Sequence, residues 1–301
     1  MYLEINDSEI ERLPAYKSPA RRIHNPAGRL IYWINERDHI RQLKLKGKPR
    51  PWTDDDILDM FKFCNVRRED DRVTRWIEDN WRGPYRDDPR IWFAMAVARM
   101  INWPPTLKTI GYPRKWDPDK VRAKMNRMRD NGEQVFTGAY MITNAGQTMS
   151  KVDTVVYMLT NLHKQEQHPE RDMSLAIAHE MLMSGKHNGM GSFMAGQVIA
   201  DCKYTDLLER APDWWDWCAP GPGSQRGLSR IMGKGDDFQR FRQADFIERL
   251  KQLRKEIQHE IKIKLCLQDM QSCLCEFDKF ERTLWGEGRP RSIYKQHPPE
   301  Y

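Results

Sequence analysis

Apolar residues recur at three- and four-residue steps along most of the chain, which is the pattern of helices that bury one face. The stretch 29–46 shows this spacing clearly, and Pro49 then ends the predicted helix. We expect Thr53 to cap the next helix, because three Asp residues follow it in the first turn. Further helices are predicted at 68–80, 89–102, 117–131, 149–163, 170–184, 191–202, 224–232 and 236–284, the last as one helix or a broken one.

Strand signals are weak by comparison. Alternating runs of β-branched and aromatic residues are few, and no Asn-Gly hairpin lies between such runs. Proline and glycine collect at 103–113, 186–191 and 219–223, which is typical of turns between packed helices. The pattern therefore predicts an all-α fold.

Charge is uneven along the chain. Its 301 residues hold 50 Lys and Arg against 43 Asp and Glu, a net charge of +7, and basic residues concentrate in 37–50, 108–129 and 249–264. A polyanion bound by several patches and a set of solvated helix faces both fit this distribution. The sequence has no run of 18 apolar residues, so we expect no membrane partner. It also has no signal peptide pattern, so we expect the protein to stay in the compartment where it is made, with reduced cysteines.

A glycine-bearing segment at 184–207 has the form of a helix–hairpin–helix element, in which backbone amides approach a DNA phosphate. An ordinary tight turn between two helices is the alternative. If the segment binds DNA, the contacts are predicted to come from Lys186, Gly189, Gly191, Ser192 and Lys203.

A second turn, at 219–223, precedes Arg226 and Arg230. Both arginines are placed to meet a phosphate or a carboxylate. Alone, the Pro-Gly-Pro-Gly sequence is only a turn signal.

The densest ionic cluster lies within 51–80. It includes Arg67, Arg68, Asp70 and Asp71. Opposite charges this close shift each other's pKa and can form a site in which arginines hold an anion while a carboxylate handles a proton. A solvated helix with ion pairs along its face is the alternative.

Near the C-terminus an apolar stripe carries Glu276 and is followed by a basic arm with Arg289 and Arg291, which we expect to contact DNA. Cys266 and Cys273 are spaced like the first two cluster ligands of some glycosylases, but the later cysteines do not follow. Zinc, HExxH and P-loop patterns are also missing from the sequence. We therefore expect no metal and no cofactor.

Four segments of the chain, taken in sequence order, together carry a resemblance to a known family. They are GKPRPWTDDDILDMFKFCNVRREDDRVTRWI, VFTGAYMITNAG, GMGSFMAGQVIADCKY, and LCEFDKFER with GEGRPR. The chain resembles phage α-glutamyl/putrescinyl thymine pyrophosphorylases, also called amino acid:DNA transferases, and the related helical domain of 5-hydroxymethyluracil DNA kinases. The resemblance implies a helix–hairpin–helix DNA glycosylase-like domain over 29–294, with its hairpin at about 184–207, an N-terminal extension over 1–28 and a tail over 295–301. It also implies a protein of the infected bacterial cytoplasm.

The implied reaction joins an amino acid or polyamine to the phosphorylated or pyrophosphorylated 5-hydroxymethyl group of uracil in double-stranded phage DNA, with the base flipped out of the stack. Arg67, Arg68, Arg226 and Arg230 would hold the leaving phosphate. The base that deprotonates the amine would be one of Asp70, Asp71, Asp201 and Glu276. A base-excising glycosylase and a non-catalytic DNA-binding partner of a separate DNA kinase are the alternatives. The glycosylase alternative is weakened because no Asp occupies 219–226.

Overall fold

The computed structural model describes residues 16–137, 148–234, 240–288, 290 and 293, and these ranges fold into helices without a strand. The predicted all-α fold is therefore confirmed, while the helix–hairpin–helix glycosylase-like fold stays a prediction. In chain order the helices are α1 (Pro26–Leu45), α2 (Asp56–Met60), α3 (Arg72–Ile77), α4 (Ile91–Ile101), α5 (Pro104–Ile110), α6 (Pro118–Asp130), α7 (Lys151–His163), α8 (Leu175–Met183), α9 (Ser192–Cys202), α10 (Pro222–Ile231), α11 (Gln243–Ile257) and α12 (Leu267–Leu284). None of these helices is both long and apolar enough to span a bilayer.

The chain divides into two compact units. Unit 1 comprises Met1–Asp71 together with Ala219–Glu300, and unit 2 comprises Arg72–Cys218. Unit 1 thus contains α1, α2 and α10–α12, and unit 2 contains α3–α9. The single domain predicted over 29–294 stays a prediction.

Unit 1 is built around α12. The apolar stripe of this helix is fully buried, and Phe280 meets Phe63 edge-on at 6.4 Å, while Phe63 in turn meets Trp33 of α1 at 6.2 Å. Helix α10 approaches α12 closely, since a Cβ on Gly227 would lie 2.2 Å from the carbonyl oxygen of Leu274. Only glycine permits this backbone contact.

Unit 2 is built around α4, every residue of which is buried. The helix packs against α7 and α9. A single arginine, Arg99, lies within this otherwise apolar helix, and its charge must be compensated inside the core.

Local patterning predicted most helix bounds closely, including 89–102 for α4, 117–131 for α6 and 191–202 for α9. The stretch 236–284 is broken into α11 and α12. The stretch 68–80 is not one α-helix but a 3-10 turn at Arg68–Asp70, then α3 and a π-helical turn at Glu78–Arg82.

The cap predicted at Thr53 was wrong by two residues. Asp55 caps α2, because its Oδ1 accepts hydrogen bonds from the amides of Ile57 at 3.0 Å and Leu58 at 3.1 Å. The Thr53 hydroxyl instead accepts from the Asp55 amide at 3.1 Å. A carboxylate competes better than a hydroxyl for the amides at a helix N-terminus because it is charged.

Candidate active site

The loop between α2 and α3 is fixed within unit 1 by side chains from α1 and α12. The buried guanidinium of Arg37 donates to the carbonyl oxygens of Phe63 at 3.2 Å and Cys64 at 3.4 Å. From α12, the carboxylate of Asp269 accepts from the Arg68 amide at 3.2 Å. These bonds give an irregular segment a defined conformation.

Two carboxylates meet at consecutive amides of this loop. The Cys64 amide donates to Oε2 of Glu276 at 3.0 Å, and the Asn65 amide donates to Oδ1 of Asp71 at 2.9 Å. The carboxylates of Asp71 and Glu276, which are distant in the sequence, lie close enough for the charge of Glu276 to raise the pKa of Asp71.

The setting perturbs the acidity of Asp71. Burial is the largest influence and raises the pKa of this carboxyl to about 6, the bond from Asn65 opposes the rise, and the nearby charge of Glu276 adds to it. Glu276 itself is only 5% exposed, whereas Asp71 keeps a partly exposed surface. A carboxyl with a pKa near 6 is suited to take up and release a proton near neutral pH.

Lys279 supplies a positive charge beside Glu276. Its Nζ donates to Oε1 of Glu276, one turn earlier on α12. Burial is the largest influence and lowers the pKa of Lys279, but the charge of Glu276 and the hydrogen bond to it, together with Cys64 and Cys275, raise the pKa by more, so the side chain stays cationic. We name Asp71, Glu276 and Lys279 the carboxylate–lysine cluster.

Two thiols border the cluster. Burial, with the charge of Glu276, raises the pKa of Cys275 to about 11, and Glu276, followed by burial, raises that of Cys64 further. Both thiols are therefore protonated at neutral pH and are weak nucleophiles. Chemistry at the cluster would depend on its carboxylates.

The arginines of α10 lie against another acidic side chain. Arg226 Nε contacts Oδ2 of Asp278 at 2.9 Å, and Arg230 Nε contacts Oδ1 at 3.1 Å. Arg230 also pairs with Glu287. Since 41% of the Arg226 side chain is exposed, it remains accessible to an anion, whereas Arg230 is 11% exposed and largely committed to its carboxylates.

The other predicted residues of the ionic cluster separate. Arg67 is exposed, Arg68 is buried, and Asp70 pairs with Arg41 at 3.4 Å. Of the four predicted bases, Asp71 and Glu276 are the two that the structure brings together.

Asp201 lies in unit 2, fully buried on α9. Its Oδ1 accepts from Nη2 of Arg99 at 2.6 Å and is 3.7 Å from Nη1 of Arg82. The carboxylate thus balances two buried arginines. Its predicted catalytic role stays a prediction, and this burial speaks against it.

Lys203 lies in the same unit. It is 1% exposed, with its Nζ 4.0 Å from the ring centroid of Trp214. A buried ammonium over an indole is stabilised by the ring and does not face solvent. The predicted DNA contact through Lys203 stays a prediction that its placement does not favour.

The glycine loop lies between α8 and α9, as the sequence predicts. Gly189 has a φ of +71°, and a Cβ there would lie 2.6 Å from Sδ of Met158. Gly191 is the N-cap of α9, Lys186 is exposed, and Ser192 is half-buried. The arrangement suits an amide-lined turn, and its DNA contacts stay predictions.

Several predictions fall outside the described residues. These are the DNA contacts of Arg289 and Arg291 and most of the segment 135–146. Within the described ranges, no group of three or more His, Cys, Asp or Glu side chains is arranged to hold a metal ion.

The sequence did not predict Lys279, Asn65 or Arg37 as site residues. Lys279 follows Glu276 at the i,i+3 spacing, which is a detectable but common signal. Arg37 interrupts the apolar stripe of α1, and a charged residue on a buried face indicates a buried partner.

Comparison with known proteins shows the family to which the chain belongs. The family described as "5-hmdU DNA kinase, helical domain" matches residues 26–289. The chain belongs to this family. A 5-hmdU DNA kinase of Bacillus phage SP10 is 25% identical over 233 residues, which cover 67% of this chain and 36% of that protein. The chain therefore matches about a third of the relative's length, and no solved structure matches.

Proposed function

We propose that this chain modifies 5-hydroxymethyluracil in phage DNA, and that it does so by transferring an amino acid or polyamine onto the activated hydroxymethyl group. Membership of the 5-hmdU DNA kinase helical-domain family supports a role on this modified base. The observation that carries the transfer reaction is the carboxylate–lysine cluster, where a carboxyl with a pKa of about 6 lies near a second carboxylate that is paired with a cation.

In the proposed step, the amine nitrogen attacks the methylene carbon of the activated base while the carbon–oxygen bond breaks. The phosphate or pyrophosphate leaves with the bonding electrons, and the amine proton passes to the Asp71 carboxylate. Lys279, Arg67 and the exposed part of Arg226 would stabilise the charge on the leaving group. Glu276 is a positioning residue, because it fixes Cys64 and Lys279 and raises the pKa of Asp71.

The decisive experiment incubates the protein with duplex DNA carrying phosphorylated or pyrophosphorylated 5-hydroxymethyluracil and pooled amino acids and polyamines, and then analyses the nucleosides by mass spectrometry. Asp71→Asn should abolish an adducted nucleoside while leaving the circular dichroism unchanged. Asp70→Asn is the matched control, since this neighbour pairs with Arg41 and should retain activity. The wild-type rate should rise as the pH passes through about 6, because only the ionised carboxylate accepts the proton.

An unchanged rate in Asp71→Asn would refute the assignment of the base. Free base or abasic DNA would instead indicate a glycosylase.

A second candidate is a DNA-binding helical partner of a separate kinase. The observations that favour it are the family's description as one domain of a kinase and the lack of a GxxxxGK[ST] pattern in the sequence. Tight DNA binding without any adduct, together with a faster reaction of an added 5-hmdU kinase, would support this candidate against the transferase.

A further inference from the structure

We propose that α6 and the segment before it, residues 108–129, form a surface that binds the phosphate backbone of double-stranded DNA. The choice of DNA as the partner rests on the proposed function, whereas the surface itself is argued from unit 2. This segment contains eight Lys and Arg and two Asp. We name it the α6 surface.

Three cations follow one face of α6. Lys120, Lys124 and Arg127 occupy positions i, i+4 and i+7, while Met125 and Met128 point into the core. The three positions extend over about 10 Å of helix axis, which is about three steps of a DNA strand. The Nζ of Lys124 donates to the carbonyl oxygens of Thr109 at 2.6 Å and Ile110 at 3.2 Å, so the stripe lies against the C-terminal end of α5.

The neighbouring acids do not neutralise this stripe. Asp119 and Asp153 pair with Arg122 at 2.6 and 3.1 Å, and Asp117 accepts from the backbone amide of Lys120 at 3.0 Å. No ion pair forms, within the part of the chain that the structure describes, at the exposed cations Lys108, Lys115, Lys120 and Arg127. Like charges at helical spacing repel one another, and a bound polyanion would remove that cost.

The loop between α5 and α6 is held firmly. The rings of Tyr85 and Tyr112 stack at 3.8 Å, the guanidinium of Arg114 lies 5.0 Å from the Tyr85 ring, and the indole of Trp116 donates to the Thr160 hydroxyl at 3.0 Å. Because this loop is already fixed, binding would have to order the side chains of its cations but not its backbone. The outer face of α6 lacks the large apolar side chains that a membrane-binding helix inserts.

The test is the salt dependence of binding to unmodified duplex DNA, followed by fluorescence anisotropy with the full chain. The variant Lys115→Gln, Lys120→Gln, Arg127→Gln removes three exposed cations and leaves Lys124 in place. The matched control, Lys17→Gln, Arg171→Gln, Arg210→Gln, removes three exposed cations that lie outside the three basic stretches of the sequence. Circular dichroism and thermal melting check that both variants fold.

We expect the slope of log affinity against log salt concentration to become shallower by about 2.7 in the α6 variant, because each phosphate contact contributes about 0.9. At 0.1 M salt this corresponds to a loss of affinity of up to about 500-fold. The control should keep the wild-type slope. An unchanged slope in the α6 variant, or an equal loss in the control, would overturn the inference.

Failure here is distinguishable from failure of the proposed function. Asp71→Asn should bind duplex DNA with the wild-type slope while forming no adduct. If no variant and no wild-type protein forms an adduct, yet the α6 variant loses affinity, the transferase proposal fails and the DNA surface stands.

Discussion

Replacing Asp201 by Asn separates a structural from a catalytic role for this residue. The substitution keeps the shape of the side chain and removes its negative charge. In the native unit 2 that charge faces Arg99 and Arg82, and Arg99 is further held by Oγ1 of Thr74 at 3.0 Å and Oδ1 of Asn102 at 3.2 Å. The variant would remove the carboxylate that both guanidinium groups face, while Arg82 keeps its ion pair with Glu78.

The expected magnitude follows from burial. The side chains of Arg99 and Arg82 are 2% exposed and that of Asp201 is 0% exposed, so solvent does not offset the loss of the Asp201 charge. Removing one partner of a buried ion pair costs about 3–5 kcal/mol. In a unit of this size, such a loss corresponds to a fall in melting temperature of about 6–20 °C.

The assay is thermal and urea unfolding followed by circular dichroism. Asp206→Asn is the matched control, because it is the same chemical change in the same unit at an exposed pair, 2.6 Å from Arg86. A pair exposed in this way contributes at most about 1 kcal/mol, so the control should melt within about 4 °C of wild type. Base modification, measured well below the melting transition, should be preserved in both variants.

The opposite pattern would refute the reasoning. If Asp201→Asn melts like Asp206→Asn and yet forms no adduct, then Asp201 serves the chemistry and not the core. The prediction that the Asp201 charge stabilises the core of unit 2 would then be wrong.

Two further perturbations address unit 1. The pKa of Asp71 in the folded protein is about 6, against an ordinary value of 3.8. The protonated carboxyl therefore contributes stability that is fully present below about pH 4 and is lost as the pH rises through 6. Relative to wild type, Asp71→Asn should gain stability across this window, by at most about 3 kcal/mol, in melts recorded from pH 4 to 7. Gly227→Ala should destabilise the protein by about 1–3 kcal/mol in urea unfolding, because the added Cβ would overlap the Leu274 carbonyl. The control Gly191→Ala has open space at its Cβ and should stay within about 1 kcal/mol of wild type. A flat pH dependence, or equal losses at the two glycines, would contradict these expectations.

The fold was predictable where local patterning decides it. The apolar stripe and the flanking turns placed α4, α6 and α9 within two residues, because amphipathic periodicity and caps are properties of short segments. The stretch 68–80 was not predictable in this way. Its first turn is a 3-10 turn in which the Arg68 amide binds the carboxylate of Asp269 from α12, a partner 201 residues away in the sequence.

The candidate site was predictable in its residue types and not in its pairing. Asp71 and Glu276 were both candidate bases, as was Asp201, and nothing in the sequence ranks them. Lys203 was assigned to DNA because it flanks the predicted hairpin helix, but the neighbouring Trp214 provides a ring that holds the ammonium inside unit 2. Long-range packing decides such cases, and a single sequence does not encode it in a readable pattern.

Charge compensation distinguishes the two kinds of buried carboxylate in this protein. Asp201 faces two arginines, and such an arrangement lowers the free energy of the folded state relative to an unpaired charge. Asp71 and Glu276 instead lie near each other, and the pKa of Asp71 rises chiefly because its carboxyl is buried and further because of the charge of Glu276, which is itself paired with Lys279. The ionised form of Asp71 therefore costs stability at neutral pH, which fits the role of proton acceptor proposed for it.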